Sequence, residues 1–221
     1  MKAKLLKNKK RMMVAAAVLV LLLATGGISA YFTSTDNATN SWTVGDVTID
    51  LLEAEYDKVP ETERQNITPN KVFTKDPVVK NIGTNDAFVF LRFSVPKQAV
   101  RIADQTGAAQ ASQVQELFDY TIHTDWVKVS EDTSAAAQNT YVYAYGTEAA
   151  CKALVAEAST PSLFKENQIT FINVLEGQGL EGNALEIPVE AYGIQTTDLD
   201  TDDKTAPADV WQILMNQVDT K

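Results

Sequence analysis

One stretch of nine residues, Ala87–Val95 (AFVFLRFSV), restricts the possible folds more than any other part of the chain. Ala87, Val89, Leu91, Phe93 and Val95 alternate onto one face, and Phe88 and Phe90 load the opposite face. Period-two alternation marks a strand. A strand that is apolar on both faces is predicted to lie centrally in a sheet. Shorter alternating runs surround it. They are Trp42–Leu52, Val72–Asn81 with an interruption at Pro77, Tyr120–Val129, Thr140–Tyr145, Ile169–Leu175 and Leu185–Ile194. Turn-forming clusters separate several of them: Ile67–Lys71, Asn81–Asp86 and the glycine-rich Glu176–Asn183. Helical signals are few. Glu148–Ala158 (EAACKALVAEA) has the alanine content of a helix, Gln113–Phe118 offers a single turn, and Asp209–Val218 suits a closing helix after Pro207. Glu53–Asn66 reads as a loop, and the alanine- and glutamine-rich Pro96–Ser112 as a loop or poor helix. Seven or eight short strands with one or two short helices predict a mainly β protein, a jelly-roll-like antiparallel sandwich.

The N-terminus follows a different logic. Lys2, Lys4, Lys7, Lys9, Lys10 and Arg11 precede a run of thirteen residues without a polar side chain, Met12–Ala24, and then TGGISA ending at Ala30. This is the layout of a secretory signal peptide, with an apolar core short of the roughly 20 residues a bilayer span needs. Residues 1–30 are therefore expected to be removed between Ala30 and Tyr31. The next residues, 31–41 (YFTSTDNATNS), carry an aromatic pair on a polar body and read as an extended arm. Residues 42–221 form the expected single domain.

Charge follows the same division. The whole chain carries 19 basic and 29 acidic residues, a formal net charge of −10; beyond the leader the balance is 13 against 29, or −16. A chain so acidic lacks the basic footprint that phosphate binding requires, so nucleic acid is excluded as a partner. One cysteine precludes an intrachain disulfide framework and a multi-thiolate metal site.

Three blocks carry a resemblance. The first is GGISAYFTSTDNATNSWTVGDVTIDLLE, where the leader meets an aromatic pair and a strand. The second is ITPNKVFTKDPVVKNIGTNDAFVFLRFSV, and the third GNALEIPVEAYGIQ. Taken in order, they resemble the TasA/camelysin family of Gram-positive bacteria, whose leaders are processed by a SipW-type signal peptidase. The resemblance implies a jelly-roll protein secreted to the cell surface or the biofilm matrix. It also implies head-to-tail fibres in which the first mature residues complete the sheet of the next subunit. Here that role would fall on Tyr31, Phe32, Thr33, Ser34 and Thr35. The implied partners are further copies of the chain, the signal peptidase during export, and other matrix proteins. The same family implies an alternative, a camelysin-like surface metalloendopeptidase. A third reading is a non-polymerising surface adhesin or accessory matrix protein.

The residues themselves offer little to an enzyme. A catalytic zinc takes three protein ligands, and His123 is the chain's one histidine, with Asp125 two residues on. A lone His–Asp pair falls short of that set, so His123 is expected to be an ordinary strand residue and no cofactor is expected. Cys151 has no evident base beside it and is expected to be a small packed thiol. Asp198, Asp200 and Asp202 fall at alternate positions, as in a calcium loop, with Asp209 at the twelfth. Asp203 stands where that loop needs glycine, so a solvated acidic loop is the expectation. The acids at Glu53, Glu55, Asp57, Glu61 and Glu63 are expected to be solvated as well.

Overall fold

The computed structural model describes residues 45–199 and 204–218. The leader and the arm, including Ala30 and Tyr31–Thr35, lie outside the described residues, as do Asp200 and Asp202.

Antiparallel sheets dominate, as the alternating runs require. The strand Ala87–Val100 (β4) is central, flanked by Val189–Gln195 (β10) on one side and Gln138–Tyr145 (β8) on the other, with Trp126–Asp132 (β7) outside β8. Past Pro96, β4 leaves β8 and pairs with Gln113–Glu116 (β5). The facing sheet holds Val72–Thr74 (β2), Phe164–Phe171 (β9) and Phe118–Ile122 (β6) in that order. Ile49–Leu52 (β1) pairs with Val78–Asn81 (β3). Beyond the regular ladder, residues 71–81 follow residues 158–171 throughout. Lys75 N–H reaches Asn167 O at 2.9 Å, Leu163 N–H reaches Pro77 O at 3.0 Å, and Asn81 N–H reaches Ala158 O at 2.9 Å. The result is a curled, jelly-roll-like sandwich.

Both faces of β4 are covered. Val89, Leu91, Phe93 and Val95 enter the main core between the sheets, with Phe118, Phe164, Ile169 and Phe171 opposite. Phe88 and Phe90 enter a second cluster on the outer face, closed by Val210 and Leu214 of the helix Pro207–Val218 (α2). The predicted closing helix thus explains the second apolar face of the central strand.

Several expectations are corrected. Gln113–Phe118 is not a helical turn: it forms β5 and the start of β6, because β4 continues to Val100 and presents an edge for pairing. The loop expected over Pro96–Ser112 accordingly begins only after Val100. Glu148–Ala158 is not helical. Leu154 instead exchanges two backbone hydrogen bonds with Ala87, at 3.0 and 2.8 Å, and its carbonyl also accepts one from Asn81 Nδ2 at 2.8 Å. Those tertiary bonds override alanine's helix preference, which amounts to only a few tenths of a kcal/mol per residue. Tyr120–Val129 is two strands, since His123–Asp125 turns the chain from β6 in one sheet to β7 in the other. β9 begins at Phe164, five residues earlier than the apolar run at Ile169 suggests. Within the expected loop 53–66 stand a 3-10 turn, Tyr56–Lys58, and a single helical turn, Glu61–Arg64 (α1).

Candidate functional site

A groove of about 1180 Å³ opens at the β2 side of the sandwich. Phe73 of β2, Phe118 of β6, and Ile169 and Phe171 of β9 give it an apolar lining continuous with the main core. The segment Val174–Pro188 and the excursion around Tyr56 and Arg64 supply the rest of the lining. Phe73 meets Phe118 edge-on at 6.3 Å, and Phe118 meets Phe171 at 5.6 Å.

Two strand-like edges border this groove. Lys71 and Lys75 bond through their backbones to β9, at 2.9 Å each. Alternation along an antiparallel strand then turns the N–H and C=O of Val72 and Thr74 to the side away from β9. Val72 is 49% exposed. The second edge is the stretch 184–188, where Leu185 and Ile187 are half-buried against the core while Ala184, Glu186 and Pro188 are exposed. That is a strand's pattern, and the sequence predicts a strand from Leu185. The Pro188 carbonyl accepts the Ser94 N–H of β4 at 3.1 Å and the ladder with β4 runs on from Val189, however, while no strand pairs with 184–187 among the described residues.

The groove's rim is ordered by polar contacts. The buried Asp76 carboxylate accepts the N–H of Glu55 at 2.8 Å and of Tyr56 at 2.9 Å, which holds the start of the 3-10 turn. Lys75 pairs with Glu53 at 2.8 Å, both side chains largely withdrawn from water, and lies over the Tyr56 ring. Glu53 is therefore not a solvated acid, unlike the exposed Glu55, which pairs with Lys58. The Arg64 guanidinium also lies over the Tyr56 ring, 4.6 Å from its centre.

The residues singled out from sequence lie elsewhere. His123 occupies the β6–β7 corner, where its Nδ1 accepts the Asp125 N–H at 3.2 Å. That bond leaves Nε2 as the one ring nitrogen for any ligand. Among the described residues, no three His, Cys, Asp or Glu side chains come together as a metal would require. The donor set around His123 therefore does not fit a catalytic zinc. Cys151 packs into the outer cluster beneath α2, and burial pushes its thiol up to about 12, the opposite of an activated nucleophile. Asp198 is exposed with φ at 56° and has no group of metal donors around it among the described residues.

One polar cluster escaped the sequence reading. Glu116 accepts hydrogen bonds from Tyr141 Oη at 2.6 Å, from Asn139 Nδ2 at 2.7 Å and from Tyr120 Oη at 3.2 Å. Burial, with the nearby carboxylate, pushes the Tyr141 phenol up to about 12 and the Tyr120 phenol higher still. Both phenols stay protonated and act as donors, so the cluster ties β5, β6 and β8 together. The groove was missed too, although EGQGLEGN contains a signal for it: a single large apolar residue, Leu180, isolated among glycines.

Comparison with known proteins gives one result. A family model described as camelysin metallo-endopeptidase matches residues 5–147, which takes in the first two sequence blocks and leaves Gly182–Gln195 beyond its end. No curated protein and no solved structure gives a match.

Proposed function

The chain belongs to the camelysin metallo-endopeptidase family, and we propose that within it this protein is a secreted structural subunit. It assembles into extracellular fibres by donating residues 31–41 to the groove of a second copy. The observation that carries this reading is the groove itself. An apolar lining open to solvent, bordered by the outward-facing edge of β2 and by the strand-like stretch 184–187, which no strand pairs among the described residues, has the form of a site that lacks one strand. Strand addition to such an edge is a general docking mode, in which main-chain bonds supply affinity and alternate side chains supply fit. The arm has the matching composition: Tyr31 and Phe32 to bury, followed by small polar residues that tolerate an edge. A donor on one face and an acceptor on another make a head-to-tail contact, which propagates as an open filament. The signal-peptide pattern ahead of the arm supports release outside a Gram-positive cell, with cleavage exposing Tyr31.

Electron microscopy of the chain beginning at Tyr31, without an added N-terminal tag, tests this reading. Fibres are expected above a threshold concentration, and deletion of residues 31–41 is expected to abolish them. A deletion variant that polymerises normally would overturn the donor role.

The family's description favours a second reading, a surface endopeptidase. It predicts chelator-sensitive cleavage of casein by the purified chain, lost in His123→Ala. Full activity in His123→Ala would place the chemistry away from that residue.

A further inference from the structure

The groove is not empty of the chain's own side chains. Leu180 lines it and is half-buried against the main core, although it sits in an otherwise polar glycine-rich loop. The loop is built so that this one residue can be presented. Gly179 and Gly182 have φ of +77° and +77°, the left-handed region that side-chain-bearing residues avoid. A Cβ at either position would meet nothing within 4 Å, so backbone conformation, not crowding, calls for glycine there. Glu181 folds back to accept the N–H of Gly177 at 2.6 Å and of Gly179 at 3.1 Å, and Asn183 Nδ2 donates to Gly179 O at 2.8 Å. These bonds lie within the loop and give it a shape of its own.

The attachment of the loop to the sandwich is slighter. Gln178 provides two bonds: its carbonyl accepts from Gln98 Nε2 at 2.9 Å, and its side-chain Oε1 accepts the Arg101 N–H at 3.1 Å. Leu180 is the apolar contact. A self-shaped loop held by one glutamine and one leucine moves as a unit when those contacts are exchanged for better ones.

We propose that residues 176–183 are a resident plug of the groove. Leu180 occupies the place that an apolar side chain of a docking strand takes, so a strand enters by displacing it. The plug covers apolar surface in the monomer and sets a threshold for assembly. The exchange with an incoming arm rests on the fibre reading above; the closure of the groove does not.

The experiment separates the two. The chain from Tyr31 to Lys221 is held at a concentration where it is monomeric, and binding of the apolar dye 1-anilinonaphthalene-8-sulfonate is followed by fluorescence. Leu180→Ser is expected to raise dye binding several-fold well below the melting temperature, with cooperative melting retained. Gln178→Ala, which removes no apolar contact from the core, is expected to give a smaller rise of the same sign. Both variants are then expected to form fibres faster than the parent chain. Unchanged dye binding in both variants would overturn the plug. So would a rise that appears only where cooperative melting is lost, because Leu180 would then be an ordinary core residue. If the dye response holds while the parent chain and both variants stay monomeric at every concentration, the plug stands and the donor-strand reading falls.

Discussion

Phe93 and Phe73 are the same residue type on strands of the two facing sheets, and their surroundings differ sharply. Phe93 is 1% exposed and has the rings of Tyr120, Tyr141, Tyr143 and Phe164 within 5.3 to 5.9 Å. Phe73 is half-buried, touches the Phe118 ring at 6.3 Å, and has the Lys71 ammonium over its face. One marks where the two sheets close on each other completely. The other marks where the sandwich stays open along β2. The contrast shows that this core is not uniform: packing is finished at its centre and unfinished at one edge, the edge to which the proposed docking of another strand is assigned.

The comparison makes predictions of decreasing size. Phe93→Ala leaves a large cavity between close-packed rings and is expected to cost about 3–5 kcal/mol in urea unfolding. Phe73→Ala is expected to cost less than half of that while weakening fibre formation far more. Equal destabilisation by the two would mean that the groove is ordinary core. Asp76→Ala leaves the N–H groups of Glu55 and Tyr56 without their acceptor, an expected loss of about 1–3 kcal/mol. Hydrogen exchange should locate that loss at residues 53–58 rather than in β4.

A third prediction concerns the closed side. The Cys151 thiol has its pKa pushed from 9.0 to about 12 by burial under α2. The folded state therefore holds its proton over a range in which the unfolded state releases it. The thiol's contribution is complete below pH 9 and declines as pH rises from about 9 toward 12, by up to about 1.4 kcal/mol per pH unit. Urea midpoints at several alkaline pH values should fall less steeply in Cys151→Ala. An identical pH profile in that variant would show that the thiol is not shielded. The smallest effect is ionic. Subunits with a net charge of −16 repel one another, and the Debye length shortens from about 10 Å at 0.1 M salt to about 3 Å at 1 M. Added salt should therefore lower the fibre threshold measured by light scattering and leave the Phe93/Phe73 contrast unchanged.

The parts of the fold that could be read in advance were those in which a local pattern and the tertiary environment agree. Ala87–Val95 was legible because alternation on two faces leaves a strand no exposed side. Pro77 was legible as a break between β2 and β3 because proline cannot continue a ladder. The misread parts were those in which long-range bonds outweigh local preference. Glu148–Ala158 has a helical composition, yet Leu154 pairs with Ala87, some 70 residues away. His123–Asp125 carries no strong turn signal, and only the need to cross from one sheet to the other bends the chain there.

The candidate site divides in the same way. By itself, the sequence determined the acidic balance beyond residue 30, the central strand, the absence of a multi-histidine or multi-thiolate ligand set, and the aromatic pair Tyr31 and Phe32 ahead of a polar run. These follow from composition and period, which are properties of the chain in order. Tertiary structure alone decided that Phe73, Phe118, Ile169 and Phe171 meet around a groove, that Asp76 orders its rim, and that Leu180 lines it. The segments around residues 73, 118, 170 and 180 are far apart in sequence, and no local rule relates them. They come together because the long β4 fixes the position of β10, while residues 71–81 follow 158–171 and stop short of closing the sandwich at β2.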